Sequence, residues 1–312
     1  WRCGQSLWCL SRSLSRAPSI MLGRLFRWAV FLGLGGLAVG WWITRPDPLP
    51  ADALAGLTGE SSRGGYVYAA AGCGSCHTVK DGPEDLLSGG KQFVTAFGTF
   101  VAPNISSDPV AGIGGWSDYD IANAVQQGIA PNGQHYYPVF PYGAYNKMTA
   151  QDTVDLIAYL RTLPASDVVS QRNDVSFPFS IRRSNGGWKR FGMVGGWVMQ
   201  NPATPELERG RYLVEALGHC AECHTPRNAI GGLDTLAWMK GAPFPAGEGR
   251  VPGIAPSELL WTAAEIADYL KSGFTPDFDS AGGEMAAVVR NTAKLTDADR
   301  AAIAEYLKAL PN

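Results

Sequence analysis

Charge is scarce in this chain. Asp, Glu, Lys and Arg make up 17% of its 312 residues, and 26 basic side chains against 28 acidic ones leave a net charge of −2. Nothing in that balance provides the basic surface a nucleic-acid partner would need. The low charge does not mean disorder, because 46% of the residues are hydrophobic, enough to bury a core and build two modest domains. Cysteine is also sparse, with six in all. Four of these form the Cys-x-x-Cys pairs Cys73/Cys76 and Cys220/Cys223, a count that suits two sites and excludes a disulfide framework. The stretch 166–204 lacks the Gly/Ser richness or charge of a flexible linker. It holds Phe177, Phe179, Trp188, Phe191 and Trp197, and is expected to pack across its neighbours.

The chain opens on Trp1, and its first methionine is Met21, so residues 1–20, with Cys3 and Cys9, read as an extension upstream of a natural start at Met21. Arg24 and Arg27 then precede an apolar run to Ile43 that carries Trp41 and Trp42 at its far edge. Leu25 to Ile43 holds one charge and approaches the roughly 20 apolar residues of a bilayer crossing. Residues 21–45 therefore read as a signal anchor, with the basic side retained in the cytoplasm and the rest exported. Thr44-Arg45-Pro46 offers no small residues for signal cleavage, and Ala51-Asp52-Ala53 is a late alternative. Both readings export the main body.

That body uses one unit twice. RGGYVYAAAGCGSCHT (63–78) parallels RGRYLVEALGHCAECHT (209–225), with His219 as one extra residue in the second copy. WSDYDIANAVQQG parallels WTAAEIADYLKSG, and MTAQDTVDLIAYLRTLP parallels LTDADRAAIAEYLKALP. Two domains are predicted, over about 60–165 and 205–312, with each matched segment a helix. The closing helices begin at Thr149-x-x-Asp152 and Thr296-x-x-Asp299, where a hydroxyl caps the first turn and the acid reaches back. Val154, Ile157 and Leu160, like Ile303 and Leu307, recur at helical spacing. The Gly/Pro-rich passages 88–116 and 240–257 are too long to stand without an organising element.

Each Cys-x-x-Cys is followed directly by a histidine, His77 or His224. A redox disulfide leaves that histidine unexplained, and zinc needs four ligands, so the two units would have to converge or recruit others. Covalent haem attachment uses all three residues in this order: two thiols one helical turn apart for the vinyl groups, and an imidazole for the iron. A large flat apolar group also explains loops that wrap without a sheet of their own.

A sixth ligand separates a carrier from a catalyst. In the second domain Met239 lies too close behind the attachment helix, which leaves Met285, in the loop before the closing helix. Counted from the matched glycines Gly128 and Gly273, the place of Met285 falls on Phe140, which cannot ligate. Met148 is then the first domain's candidate, with His135 as its rival. His219 reads as a residue bonded to a loop or a propionate rather than a metal ligand.

GCGSCHT, HCAECHTPRN, APNISSDPVAGIGGWSDYD, HYYPVFPYGAYNKMTAQD and GGEMAAVVRNTAKLTDADRAAIAEYLKALP together resemble two-haem members of the class I cytochrome c family, the cytochrome subunits of bacterial periplasmic dehydrogenases. The resemblance covers nearly all of 63–311 and implies an all-α fold, two tandem domains around covalent haems, and His/Met ligation. Relatives reading MPY at Phe140-Pro141-Tyr142 offer that methionine as another ligand. The implied role is electron transfer at the periplasmic side of the bacterial cytoplasmic membrane, from a dehydrogenase to a terminal cytochrome oxidase or a soluble cytochrome. Cys73, Cys76, His77, Met148, Cys220, Cys223, His224 and Met285 are expected to hold the cofactors. A two-haem peroxidase or sulfur-compound oxidoreductase is the alternative, and would need one iron with a displaceable ligand.

Overall fold

The computed structural model describes residues 17–79, 82–244 and 249–311, so Cys3 and Cys9 lie outside the described residues. The chain forms two compact units, divided between Arg45 and Pro46. The first contains helix α1 (Ala17–Ile43), of which Met21–Ile43 is long and apolar enough to cross a membrane. Thr44 Oγ1 donates to the Gly40 carbonyl at 2.7 Å at its end, and Pro46 disfavours another helical turn.

The second unit contains both sequence copies. The first begins with α2 (Ser61–Ala71) and α3 (Cys73–His77), followed by a hairpin of β1 (Gln92–Thr95) and β2 (Gly98–Val101). Then come α4 (Asp118–Ala122), which continues through Gln127 as a π-helical turn, α5 (Tyr142–Tyr145) and α6 (Ala150–Leu160). The connection carries β3 (Asp174–Val175), paired with β2, and α7 (Ser184–Phe191). In the second copy α8 (Pro205–Arg211) runs into a π-helical turn to Leu217, followed by α9 (Ala221–His224) and the short pair β4 (Ala242–Pro243) and β5 (Arg250–Val251). Helices α10 (Ala263–Ser272), α11 (Gly283–Thr292) and α12 (Asp297–Lys308) complete it. The all-α expectation therefore needs correcting. Both long loops carry short antiparallel strands, which satisfy backbone groups that a buried loop must pair.

Each copy is built on one helix crossing, α2 on α6 and α8 on α12. A Cβ added to Gly64 would lie 1.8 Å from the Asp155 carbonyl oxygen, and one on Gly210 would lie 2.1 Å from that of Ala302. Only glycine permits so close a crossing. The residues predicted from helical spacing are buried there, Val154, Ile157 and Leu160 on α6 and Ile303 and Leu307 on α12, and Leu156 and Tyr306 are buried with them. Arg63 Nε donates to Asp155 Oδ2 at 2.9 Å, and Arg209 Nε to Asp299 Oδ1 at 2.9 Å, pinning each crossing at its open end.

The closing helices are capped in a way the sequence pattern did not reveal. Thr149 and Thr296 accept from the amides of Asp152 and Asp299 as expected, at 3.0 and 3.1 Å. The acids do not reach back to the cap residues. Instead the Tyr212 hydroxyl, from the second copy, accepts from Thr149 N at 3.2 Å and donates to Asp152. Tyr66 does the same for Thr296 and Asp299 in the opposite direction. Tyr66 and Tyr212 occupy matched positions of the repeat, so the two copies meet in a reciprocal exchange with the look of an internal two-fold.

The connection packs on both copies. Asn104 Nδ2 donates to the carbonyls of Ser166 and Val168, each at 2.8 Å. Lys189 Nζ donates to the Gly128 carbonyl at 2.9 Å, and the amides of Val198 and Met199 donate to Glu215 at 2.7 and 3.0 Å.

Candidate cofactor sites

Each attachment segment is a short helix entered by a sharp turn. In the first copy Gly72 makes that turn in the left-handed region, at φ 67, and ends α2 as it starts α3. Cys73 and Cys76 then lie on consecutive turns with His77 directly behind, and α9 repeats the arrangement with Cys220, Cys223 and His224. All four thiols are free. Burial pushes Cys73 and Cys220 up to about 12, so both are held as neutral thiols.

The two histidines are oriented alike. His77 Nδ1 is 2.8 Å from the Pro103 carbonyl, and His224 Nδ1 is 2.8 Å from that of Pro252. A carbonyl can only accept, so Nδ1 carries the proton and Nε2 keeps its lone pair for a metal. Burial lowers both imidazole pKa values, against the opposing bond to the proline carbonyl, and favours the neutral ligating form. The loops that bring in these carbonyls are fixed by matched backbone bonds: Gly89 N to His77 O and Gly241 N to His224 O, both at 2.8 Å. Sequence reasoning missed Pro103 and Pro252, yet a signal was there: Pro103-Asn104-Ile105 and Pro252-Gly253-Ile254 are the same Pro-x-Ile in the two copies.

These residues fit a c-type haem: two neutral thiols for thioether bonds and a pre-oriented imidazole nitrogen for iron. They do not fit zinc. Among the described residues no three or more His, Cys, Asp or Glu side chains group as a metal site requires.

The loops that carry the candidate methionine ligands differ between copies. Ile129 bridges His135 as Phe274 bridges Ser280, and Tyr136 N bonds Gly128 O as Ala281 N bonds Gly273 O. That register puts Phe140 at the position Met285 holds in the second copy. Met285 is partly buried and stands in the first turn of α11, a helix where a loop was expected. Met148 is buried just ahead of the cap residue Thr149, the place Leu295 takes in the second copy, and its carbonyl accepts from Gln126 at 2.8 Å. His135 is buried at the bridge, and Met239 is fully buried in the core. Arg227 pairs with Glu222.

The first attachment segment meets the second copy at α11. Asn291 Nδ2, on α11, donates to Ser75 Oγ at 2.7 Å, and Lys91 Nζ donates to the Ser75 carbonyl at 3.1 Å while pairing with Glu284 at 2.5 Å. Burial raises the Cys76 pKa; Lys91 opposes this, and Glu284 and Cys223 add to it.

Comparison with known proteins agrees with this geometry. The cytochrome c family description matches twice, over residues 61–164 and 207–311. A diheme cytochrome c-type protein of Cereibacter sphaeroides is 52% identical over 277 residues, covering 88% of this chain and 94% of that protein. The fructose dehydrogenase cytochrome subunit of Gluconobacter japonicus is 36% identical over 85% of this chain and 55% of its own length. The gluconate 2-dehydrogenase cytochrome c subunit of Pantoea cypripedii is 33% identical over 80% and 59%. The chain thus spans nearly all of the first relative and little more than half of the other two. Two matched attachment segments, each inside a region that fits the same family description, make this chain a member of the cytochrome c family with two c-type haems as its cofactors.

Proposed function

We propose that this chain is a membrane-tethered electron carrier at the periplasmic side of the cytoplasmic membrane. It takes single electrons from a dehydrogenase and delivers them to a terminal oxidase or a soluble cytochrome. The observation that carries the reading is the pair of matched attachment segments in one compact unit, each with its imidazole oriented by a proline carbonyl at 2.8 Å, which suits transfer between two centres within one chain. The names of the fructose and gluconate dehydrogenase relatives support a dehydrogenase as donor. In this reading Met21–Ile43 is the anchor, 60–165 and 205–312 are the two haem domains, and 166–204 is the packed connection.

A bound c-type haem supplies reversible one-electron chemistry at iron. Cys73, Cys76, Cys220 and Cys223 would hold it covalently, and His77, His224, Met148 and Met285 would ligate its iron. The chain's own work is positional. The proline carbonyls fix each imidazole, and the helix crossings exclude water. A methionine thioether ligand would raise the potential of the bound group.

One observation favours a second reading for the first site: Met148 sits where the second copy has Leu295, a core residue, and Phe140 sits where it has Met285. An iron with an open far side would suit a peroxidase-like enzyme. Optical spectra of the oxidised protein decide between them. The carrier predicts a long-wavelength sulfur-to-iron band from both centres that M148L halves. A high-spin fraction in the unmodified protein, unchanged by M148L, overturns Met148 ligation. Co-purification with a dehydrogenase whose substrate reduces both haems tests the donor.

A further inference from the structure

Residues 176–181 of the connection, Ser-Phe-Pro-Phe-Ser-Ile, are exposed throughout, although three of the six are large and apolar. They form a tight turn of their own, with Ser180 N bonded to Ser176 O and Ile181 N to Pro178 O, each at 3.1 Å. The turn leaves the sheet at β3, whose Val175 pairs with Gly98 beside the tip of the β1/β2 hairpin. There the rings of Phe97 and Phe179 meet edge-on, with centroids 4.9 Å apart. Phe177 is 79% exposed, Phe97 50%, Ile181 49% and Phe179 47%. Two elements thus place four large apolar side chains on one projection that faces water, and a grouped apolar surface of this kind marks a docking site where single exposed residues do not.

What the projection meets is indicated by the next element, α7. This helix begins three residues after Ile181 and, with eight residues, is about 12 Å long. At its far end Arg190 pairs with Asp47 at 3.5 Å, and the exposed Phe191 follows. Asp47 is four residues past Ile43, where the helix of membrane-crossing length ends, and four residues of extended chain span at most about 14 Å. The chain beyond is fastened: Leu49 N donates to Asn123 Oδ1 at 2.8 Å, and the Tyr119 hydroxyl donates to the Leu49 carbonyl at 2.6 Å. One short helix therefore joins the apolar projection to the residues that follow the membrane-length segment. The charge agrees. Arg172, Arg182, Arg183 and Arg190 stand against Asp174 and Asp47, a positive balance in a chain whose total is −2. Lys189 is left out of this balance because it turns inward to the Gly128 carbonyl. Aromatic side chains flanked by arginines suit the boundary of a bilayer with anionic headgroups, where the rings enter and the guanidinium groups stay among the phosphates.

We propose that Phe177, Phe179 and Ile181, with Phe97 beside them, seat the body of this protein on an anionic phospholipid surface. The inference rests on the reading of Met21–Ile43 as an anchor, and it adds a second, peripheral contact which that reading does not require. A single tether leaves the body free to turn. A second contact fixes its orientation, and so decides which faces stay open to an electron donor and an acceptor.

The test uses the full chain, matured with both haems and reconstituted in nanodiscs of phosphatidylethanolamine with phosphatidylglycerol, or of phosphatidylcholine alone. Hydrogen exchange of peptides covering 94–98 and 176–181 is read by mass spectrometry. Exchange is expected to be several-fold slower in the phosphatidylglycerol discs. F177S/F179S is expected to lose most of that slowing with its haem spectrum unchanged, while L236S, at an exposed apolar residue outside the projection, keeps it. If the double variant fails to take up both haems, F177S is measured in its place and read the same way. Equal exchange in the two lipids, or undiminished slowing in F177S/F179S, overturns the proposal. Slowing that appears only when a dehydrogenase is added assigns the surface to a protein and overturns it as well. Wild type that stays in the discs through an alkaline wash yet shows no slowing defeats the lipid contact alone. Release by that wash defeats the anchor reading and the contact with it, so the two failures are told apart.

Discussion

In the first copy Met148 precedes the closing helix and Phe140 occupies the register behind the bridged loop; in the second copy those places hold Leu295 and Met285. The attachment sides of the two copies, by contrast, agree closely, down to Nδ1 to proline-carbonyl distances of 2.8 Å in both. The attachment side is set by backbone: a three-residue motif on a short helix and a carbonyl delivered by a loop whose amides are already spoken for. In the proposed ligation the far side is supplied by one side chain, so the copies can diverge there without disturbing the fold. His219 adds a second asymmetry, at the contact between the copies, where the second segment carries a residue and a strained turn, at φ 40, that the first lacks.

The largest effect expected on this comparison comes from removing one attachment site. Replacing Cys73 and Cys76 by serine is expected to give a protein whose intact mass carries a single haem and whose first copy is poorly folded, because the large apolar group that fills its centre is no longer secured. The same change at Cys220 and Cys223 is expected to do this to the second copy, and mass spectrometry with haem staining of separated fragments distinguishes the two.

Next in size are the helix crossings. Gly64→Ala and Gly210→Ala each drive a methyl group into a carbonyl oxygen, and about 3 kcal/mol of destabilisation is expected from overpacking of this kind. Thermal unfolding checks it, with Gly64 the more sensitive because its contact is the closer, 1.8 against 2.1 Å.

The reciprocal caps are weaker. Tyr66→Phe and Tyr212→Phe each remove a hydroxyl that bonds an amide and a carboxylate of the other copy, and each is expected to cost about 1–2 kcal/mol. If the exchange is symmetric, the two losses are similar and nearly additive in the double variant. A marked inequality in chemical denaturation breaks the internal two-fold.

Smallest is a dependence on acid. Burial acts upward on Asp155 and Asp299, but bonds from Arg63 and the Glu60 amide to the first, and from Arg209 and Tyr66 to the second, hold both carboxyl groups below their ordinary range. Their contribution is complete above the unfolded carboxylate value of about 3.9 and is lost as pH falls through the depressed folded value. Stability is therefore expected to decline below about pH 4. Asp155→Asn and Asp299→Asn are expected to flatten that decline, measured as unfolding midpoint against pH.

The amino-acid sequence alone determined the duplication, the two attachment motifs, the closing helices with their Thr149 and Thr296 caps, and the apolar N-terminal run. Each of these is a local pattern, written in consecutive residues or in helical spacing. Only the tertiary structure decided which carbonyl orients each histidine, that a tyrosine of the opposite copy completes each cap, and that the His219 ring stands edge-on to Tyr145. It also revealed the short hairpins, whose strands of two to four residues are too brief to leave a periodic signal. Backbone acceptors carry no residue identity, and contacts between copies join positions far apart in the chain, so neither is written where a local pattern can be read.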